Sequence, residues 1–310
     1  MLSDTKPQIR KEVTGIKAFL NKHAHWVLLS PFIALFFLFI VIPVASAVGL
    51  SFTQFNTIGF PKFNGLANYL NILTQDDVFM QNVLPNTVKF ALIVGPGGYV
   101  LSFILAWLLA QITRVPRTVA AVIIYLPSMT GGVTIATVWG VIFSGDRMGY
   151  LNSLLLRFNL VKSPVAWLNS PHLLDIMIIV ALWSSMGVGF LAMLSGILNV
   201  NEELYEAAYI DGISNRFDEV FYITIPAIKP QMLFGAIMAI VGTFTNSSIG
   251  TALSGSNPTP NNYGQLIVNH MEDYGYLRWE MGYAAALSVL LLGIIWAFSK
   301  FSYKLFGSSD

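Results

Sequence analysis

The chain contains no cysteine. Disulfides, thiolate metal sites and a cysteine nucleophile are excluded, and the redox compartment stays open. Charge is also scarce. Asp, Glu, Lys and Arg make up 11% of the 310 residues, against roughly 25% in an ordinary soluble domain. That is too little to cover the surface of a water-soluble chain of this length. The net charge of +1 gives no reason to expect a nucleic-acid partner. The four histidines (His23, His25, His172 and His270) are not at metal-ligand spacing, and HExxH is missing; neither a metal nor a cofactor is expected. The richest glycine cluster, Gly95-Pro96-Gly97-Gly98, is not followed by the GK[ST] of a phosphate loop. Within an apolar run, small residues serve close helix packing or a kink.

Apolar runs fill the place of the missing charges: 55% of residues are hydrophobic. A membrane-spanning helix needs about 20 largely apolar residues. Six stretches approach or exceed that length: Trp26 to Phe52, Phe90 to Thr113, Thr118 to Ser144, Ile176 to Asn201, Gln231 to about Gly250, and the slightly shorter Met281 to Phe298. The chain reads as an all-α membrane protein of about six transmembrane helices. Residues 26–310 form the transmembrane domain, and residues 1–25 an N-terminal segment. Ala45-Ser46-Ala47 resembles a signal-peptide cleavage site, but the run from Trp26 to Val44 is too long for one and starts too late. Before Trp26, the residues Ile16, Phe19 and Leu20 are at helical spacing among Lys17 and Lys22. They fit an interfacial helix or a frayed basic tail.

Lys and Arg counts set the orientation. With the N-terminus in the cytoplasm, Lys6, Arg10, Lys11, Lys17, Lys22, Arg114, Arg117, Arg216, Lys229, Lys300 and Lys304 lie inside. Lys62, Lys89, Arg147, Arg157, Lys162 and Arg278 lie outside. The excess favours both termini in the cytoplasm. None of the six runs carries Asp, Glu, Lys, Arg or His in its apolar part. Such groups mark proton relays and ion paths, so their absence argues against an ion-coupled carrier. It also argues against an intramembrane protease, which needs a base beside its nucleophile.

The loop between the fourth and fifth runs carries the strongest signal. Asn201 is a helix N-cap, Glu202 and Glu203 suit the positive end of a helix, and Gly212 is a helix stop. Two short helices at the membrane surface are predicted, with an elbow near Gly212. Six acids (Glu202, Glu203, Glu206, Asp211, Asp218 and Glu219) stand against Arg216 and Lys229. That balance suits docking on a basic partner or a solvated face. Ala207 and Ala208 let another surface come close.

Glu206-Ala207-Ala208, three residues before Gly212, followed by Ile223-Thr224-Ile225-Pro226, resembles the EAA loop of bacterial ABC importer permeases. Ten residues rather than the usual nine separate Gly212 from Ile223; Ile213 and Ile225 replace the usual alanine and leucine. Pro31, Pro43, Ser51-Phe52, Gly65-Leu66-Ala67-Asn68-Tyr69, Asn86-Thr87 and Asp211 are similar to the carbohydrate-uptake, maltose-transporter type. The resemblance implies a type I importer permease fold in a bacterial cell membrane. It implies a second permease subunit, two cytoplasmic ATPase subunits, an extracytoplasmic solute-binding protein and a sugar cargo, with an oligosaccharide expected. By the same resemblance, residues 202–230 couple to the ATPase. Glu206 pairs with a basic residue there, and Ala207, Ala208, Asp211, Gly212, Ile223 and Pro226 complete the coupling motif.

The sugar path has weaker signals. A neutral sugar needs hydrogen-bonding groups and aromatic faces. Thr243, Thr245, Asn246, Ser247 and Ser248 form the densest polar cluster in a span, and Trp183, Ser184 and Ser185 a second. Each also fits interhelical packing. Two alternatives stay open: a permease of this type for a non-sugar solute, and an ion-coupled secondary carrier.

Overall fold

A computed structural model describes residues 24–213 and 215–306. The tail at Ile16, Phe19 and Leu20 lies outside them. The described residues are mostly helical. Their one sheet is a short antiparallel hairpin of β1 (Thr53–Gln54) and β2 (Lys62–Phe63).

Helix α1 runs over 24–51, with a π turn at Phe37–Val41. None of its most apolar window is buried, as expected of a helix that is apolar all round and meets lipid or another subunit. Helix α2 (Ala67–Thr74) precedes α3 (Phe79–Ala110), the longest at 32 residues. The apolar pattern starts this span at Phe90, whereas the helix starts at Phe79. Polar residues in the added turns have partners elsewhere in the fold. Asn86 donates Nδ2 to the carbonyl of Asn262 at 2.9 Å, and the Thr87 hydroxyl accepts the Ile267 N–H at 3.0 Å. Local hydropathy does not register such partners.

The third run, predicted as one helix, is broken. Helix α4 (Arg114–Tyr125) ends in a 3₁₀ turn at Leu126–Met129, and α5 (Gly132–Ile142) leaves at 97°. Pro127 enters that turn, and Thr130 and Gly131 are extended, so the hydrogen-bond ladder stops there. After α6 (Tyr150–Arg157), the fourth pass comprises α7 (Leu173–Trp183) and α8 (Val188–Leu198). Next come α9 (Glu202–Ile210), α10 (Arg216–Ala227) and, bent by 82° from α10, α11 (Lys229–Phe244). The fifth pass stops six residues before the expected Gly250, and α12 (Ser248–Ser254) restarts after a turn. Helix α13 (Ile267–Glu272) precedes α14 (Met281–Phe306), which outruns its predicted end at Phe298.

Four helices are long and apolar enough to span a membrane, or six if each bent pair counts as one. Six passes bring residues 24 and 306 to the same end as α9 and α10. We call it the elbow end and the opposite one the far end.

Three hydrophobic clusters form the core, and α3 contributes to each. Phe90 and Val94 pack with Met177 and Ile249; Phe79 and Val83 with Ile267 and Leu287; Ala106 and Leu109 with Phe190 and Met232. The helices extend beyond the apolar runs and take in charged residues next to them. Helix α3 carries Lys89 and α7 carries Asp175, with Nζ 2.7 Å from Oδ1. Each neutralises the other, the usual arrangement for ionic groups near a bilayer.

The segment from Ser254 to Tyr276, between the fifth and sixth runs, is partly core. Gln265 and Asn269 are fully buried, and His270 is nearly so. His270 Nε2 lies 2.8 Å from Asp76 Oδ2, Tyr283 donates its hydroxyl to the same oxygen at 2.6 Å, and the Phe79 N–H donates to Oδ1 at 2.8 Å. Burial pushes the Asp76 carboxyl up, but these three bonds and the neighbouring imidazole hold it well below the usual carboxylate range. An ionised carboxylate only accepts, so His270 presents Nε2–H to it. This cluster ties the start of α3 to α13 and α14.

Candidate functional site

Two features stand apart from packing: a cavity among the helices, and the elbow.

The cavity has a volume of about 290 Å³, at the low end for ligand pockets. Three helical passes supply its wall. Helix α3 contributes Gly98, Tyr99 and Ser102; the junction of α7 and α8 contributes Ser184, Ser185 and Phe190; α11 and the turn after it contribute Met238, Thr243 and Asn246. No acidic or basic side chain lines it.

Three of the wall's hydroxyls share one polarity. Ser184 donates to the Val180 carbonyl at 3.0 Å, Ser185 to Leu182 at 2.8 Å and Thr243 to Ala239 at 2.7 Å. Each proton is held by its own helix, which leaves the oxygen lone pairs for a donor in the cavity. Asn246 Oδ1 accepts the Ile249 N–H at 3.4 Å, at the start of α12, which leaves the two N–H groups of its amide. A wall of acceptors, one amide donor and aromatic rings suits a neutral polyol.

Gly98 shows why the glycine cluster is where it is. A Cβ there would come within 2.7 Å of Ser185 Cβ. The missing side chain therefore lets α3 approach the α7–α8 junction.

Of the predicted path residues, Thr243, Asn246 and Ser184 line one cavity, with Ser185 beside them. Ser247 does not line it; its carbonyl accepts Asn269 Nδ2 at 2.7 Å. Trp183 does not line it either; it packs edge-on against Trp139 with ring centroids 5.3 Å apart. The sequence reading missed Tyr99 and Ser102. Their signal was available: two polar residues at helical spacing, directly after the glycine cluster.

The elbow forms as its residues dictate. Asn201 accepts the Glu203 N–H at 3.2 Å and so caps α9. Gly212 has φ +98, a left-handed conformation that costs little only in glycine. It ends α9, with its N–H donating to Tyr209 and that of Ile213 to Ala208. The Tyr205 and Thr224 hydroxyls meet at 3.0 Å and hold α9 against α10. Ala208 and Ile223 are buried inside the elbow, whereas Glu206, Ala207, Asp211, Gly212 and Pro226 face out. Large apolar groups face out beside them: Tyr209 is 70% exposed, Ile210 83% and Tyr222 70%. Exposed apolar groups next to acidic ones are the composition that an interaction surface uses. The sequence reading had the acids but not these apolar neighbours.

The family model for binding-protein-dependent transport system inner membrane components matches residues 98–300. The chain belongs to that family. The matched region begins at the cavity-lining Gly98 and takes in the whole elbow. Over 293 residues this permease subunit is 30% identical to the arabinooligosaccharides transport system permease protein AraP of Bacillus subtilis, covering 93% of this chain and 90% of that one. It is 31% identical to the lactose transport system permease protein LacF of Rhizobium radiobacter, over 70% and 72% of the two chains. The crystal structure of a bacterial alginate ABC transporter, in complex with an alginate pentasaccharide-bound periplasmic protein, contains a chain of the same fold. Its TM-score is 0.75 at 20% identity, over 93% of this chain and 96% of that one. The permease is a multi-pass membrane transport component, not an enzyme.

Proposed function

We propose that this permease is the membrane-spanning subunit of an ATP-driven, binding-protein-dependent sugar importer, with an oligosaccharide as cargo. It forms the translocation path with a second permease. Two ATPase subunits dock on the elbow, and an extracytoplasmic binding protein delivers the sugar at the far end. The elbow and both termini face the cytoplasm, in agreement with the Lys and Arg count. The observation that carries the reading is the uncharged, acceptor-lined cavity, in a family whose similar members include arabinooligosaccharide and lactose permeases. Glu206 with its exposed apolar neighbours is the ATPase contact; ATP binding shifts the balance between inward- and outward-facing packings.

Reconstitution of the complete complex in proteoliposomes tests this. Uptake of a labelled oligosaccharide is expected only with internal ATP and external binding protein. Uptake driven by an ion gradient without any ATPase would overturn it, as would transport confined to a non-sugar solute.

Within the cavity, Asn246→Leu is expected to lower sugar uptake by roughly tenfold while the complex assembles normally. The change removes an amide donor worth about 1 kcal/mol and adds apolar bulk. Uptake equal to wild type would remove Asn246 from the path.

A further inference from the structure

We propose that the second half of α3 is a lever, gripped at Gln111 by Arg216 of the elbow and pivoting at Pro96 beside the cavity. The proposal rests on the functional reading above and names the side chains that join the elbow to the sugar path.

The elbow faces the turn between α3 and α4 across an open cleft of about 680 Å³. Where no atoms touch, no force passes. Besides Ile225, which packs on the cluster around Ala106 and Leu109, two contacts among the described side chains reach across this gap. Arg216 donates Nη1 to Gln111 Oε1 at 3.0 Å, and the rings of Phe217 and Trp107 lie 6.4 Å apart. Trp107 is in the last turn of α3 and Gln111 is the residue that caps it, four positions on, so the two share one face. Arg216 and Phe217 are the first two residues of α10. The start of α10 is thus seated on the end of α3. Arg216 stays oriented by Glu219, 3.5 Å from the same Nη1.

The same helix reaches the cavity. Gly98, Tyr99 and Ser102 line it, all within two turns of Pro96. Proline has no N–H for the carbonyl four residues before it, so the hydrogen-bond ladder of α3 lacks a bond at Pro96. From Pro96 to Gln111 is about 22 Å at 1.5 Å per residue. A tilt of roughly 10° about Pro96 moves Gln111 by about 4 Å and Ser102 by between about 1 and 2 Å. That is enough to make or break hydrogen bonds in the wall. Gln111 and Trp107 are therefore positioning residues: they touch neither sugar nor ATPase, and they set how elbow movement reaches the cavity.

The test measures ATP hydrolysis and sugar uptake together, in proteoliposomes holding the whole complex. Wild type is run first; failure there to retain ATPase subunits or to take up sugar with ATP sinks the functional reading, and the lever with it. Given a working wild type, Gln111→Ala is expected to keep its ATPase subunits and to raise the ATP consumed per sugar delivered by about fivefold, the scale of one ordinary hydrogen bond of about 1 kcal/mol. Gln111→Glu, which still accepts from Arg216, is expected to restore the wild-type ratio. If hydrolysis and uptake fall together at an unchanged ratio, or if Gln111→Glu behaves like Gln111→Ala, the lever is wrong. Should Gln111→Ala fail to accumulate, Gln111→Asn, one methylene short of Arg216, carries the same expectation and the same refutation.

Discussion

Glu206→Lys is expected to strip the ATPase subunits from the complex while leaving the permease inserted in the membrane. Glu206 is exposed on α9, and the described structure shows no intrachain salt bridge to it. Reversal of its charge therefore removes little from the permease itself. Lysine is nearly as good a helix former as glutamate, and the Asn201 cap and the Gly212 stop remain. The cost falls on docking. A close interfacial charge pair broken on one side costs about 2–5 kcal/mol, and reversal adds repulsion. Co-purification should fall by at least tenfold, and ATP-dependent uptake with it. Glu206→Gln should lose less, since it breaks the pair without repulsion. Full ATPase retention by Glu206→Lys, at normal membrane levels, would dismiss the proposed contact.

At the far end, Asp76→Ala is expected to destabilise the permease by about 3 kcal/mol, because it leaves the buried His270 and Tyr283 without their shared acceptor. In detergent that corresponds to an unfolding midpoint lower by roughly 5–10 °C. The Lys89–Asp175 pair is the useful comparison. It is 2.7 Å long, but both side chains are about half exposed, so Lys89→Ala should cost under about 1 kcal/mol. Asp76 also sets the pH dependence. Its folded-state carboxyl lies below its ordinary value of 3.8, so its stabilisation is complete above about pH 4 and declines as the pH drops further. The gap between wild type and Asp76→Ala should accordingly narrow on acidification below pH 4. Equal midpoints at pH 7 would show that the cluster does not hold the far end together.

The elbow was legible because its signals are local. An Asn cap, two acids, a glycine stop and a proline act within one or two turns, and the structure has the cap and the left-handed Gly212 where the sequence put them. The central cavity was half legible. Thr243, Asn246 and Ser184 were visible as polar residues in apolar runs, but nothing along the chain said that Ser184 and Thr243 share one wall while Ser247 and Trp183 stay off it. The far end was not legible. His270 and Asp76 are 194 positions apart, and each alone looks like an ordinary loop residue. The break after Met129 was missed for a different reason: hydropathy records whether a residue tolerates lipid, and it is blind to the proline and glycines that interrupt the helix.

The sequence by itself determined that this protein lives in a membrane, crosses it about six times and carries an acidic elbow between its fourth and fifth passes. Apolar run length, helix caps and a glycine stop are properties of neighbouring residues, and they act before the chain has folded. Only the tertiary structure decided which hydroxyls face a common cavity, that Asp76 finds His270 and Tyr283, and that the elbow holds α3 through Gln111. Those relations depend on how separate helices pack against each other, and side-chain shape fixes that only after the helices meet.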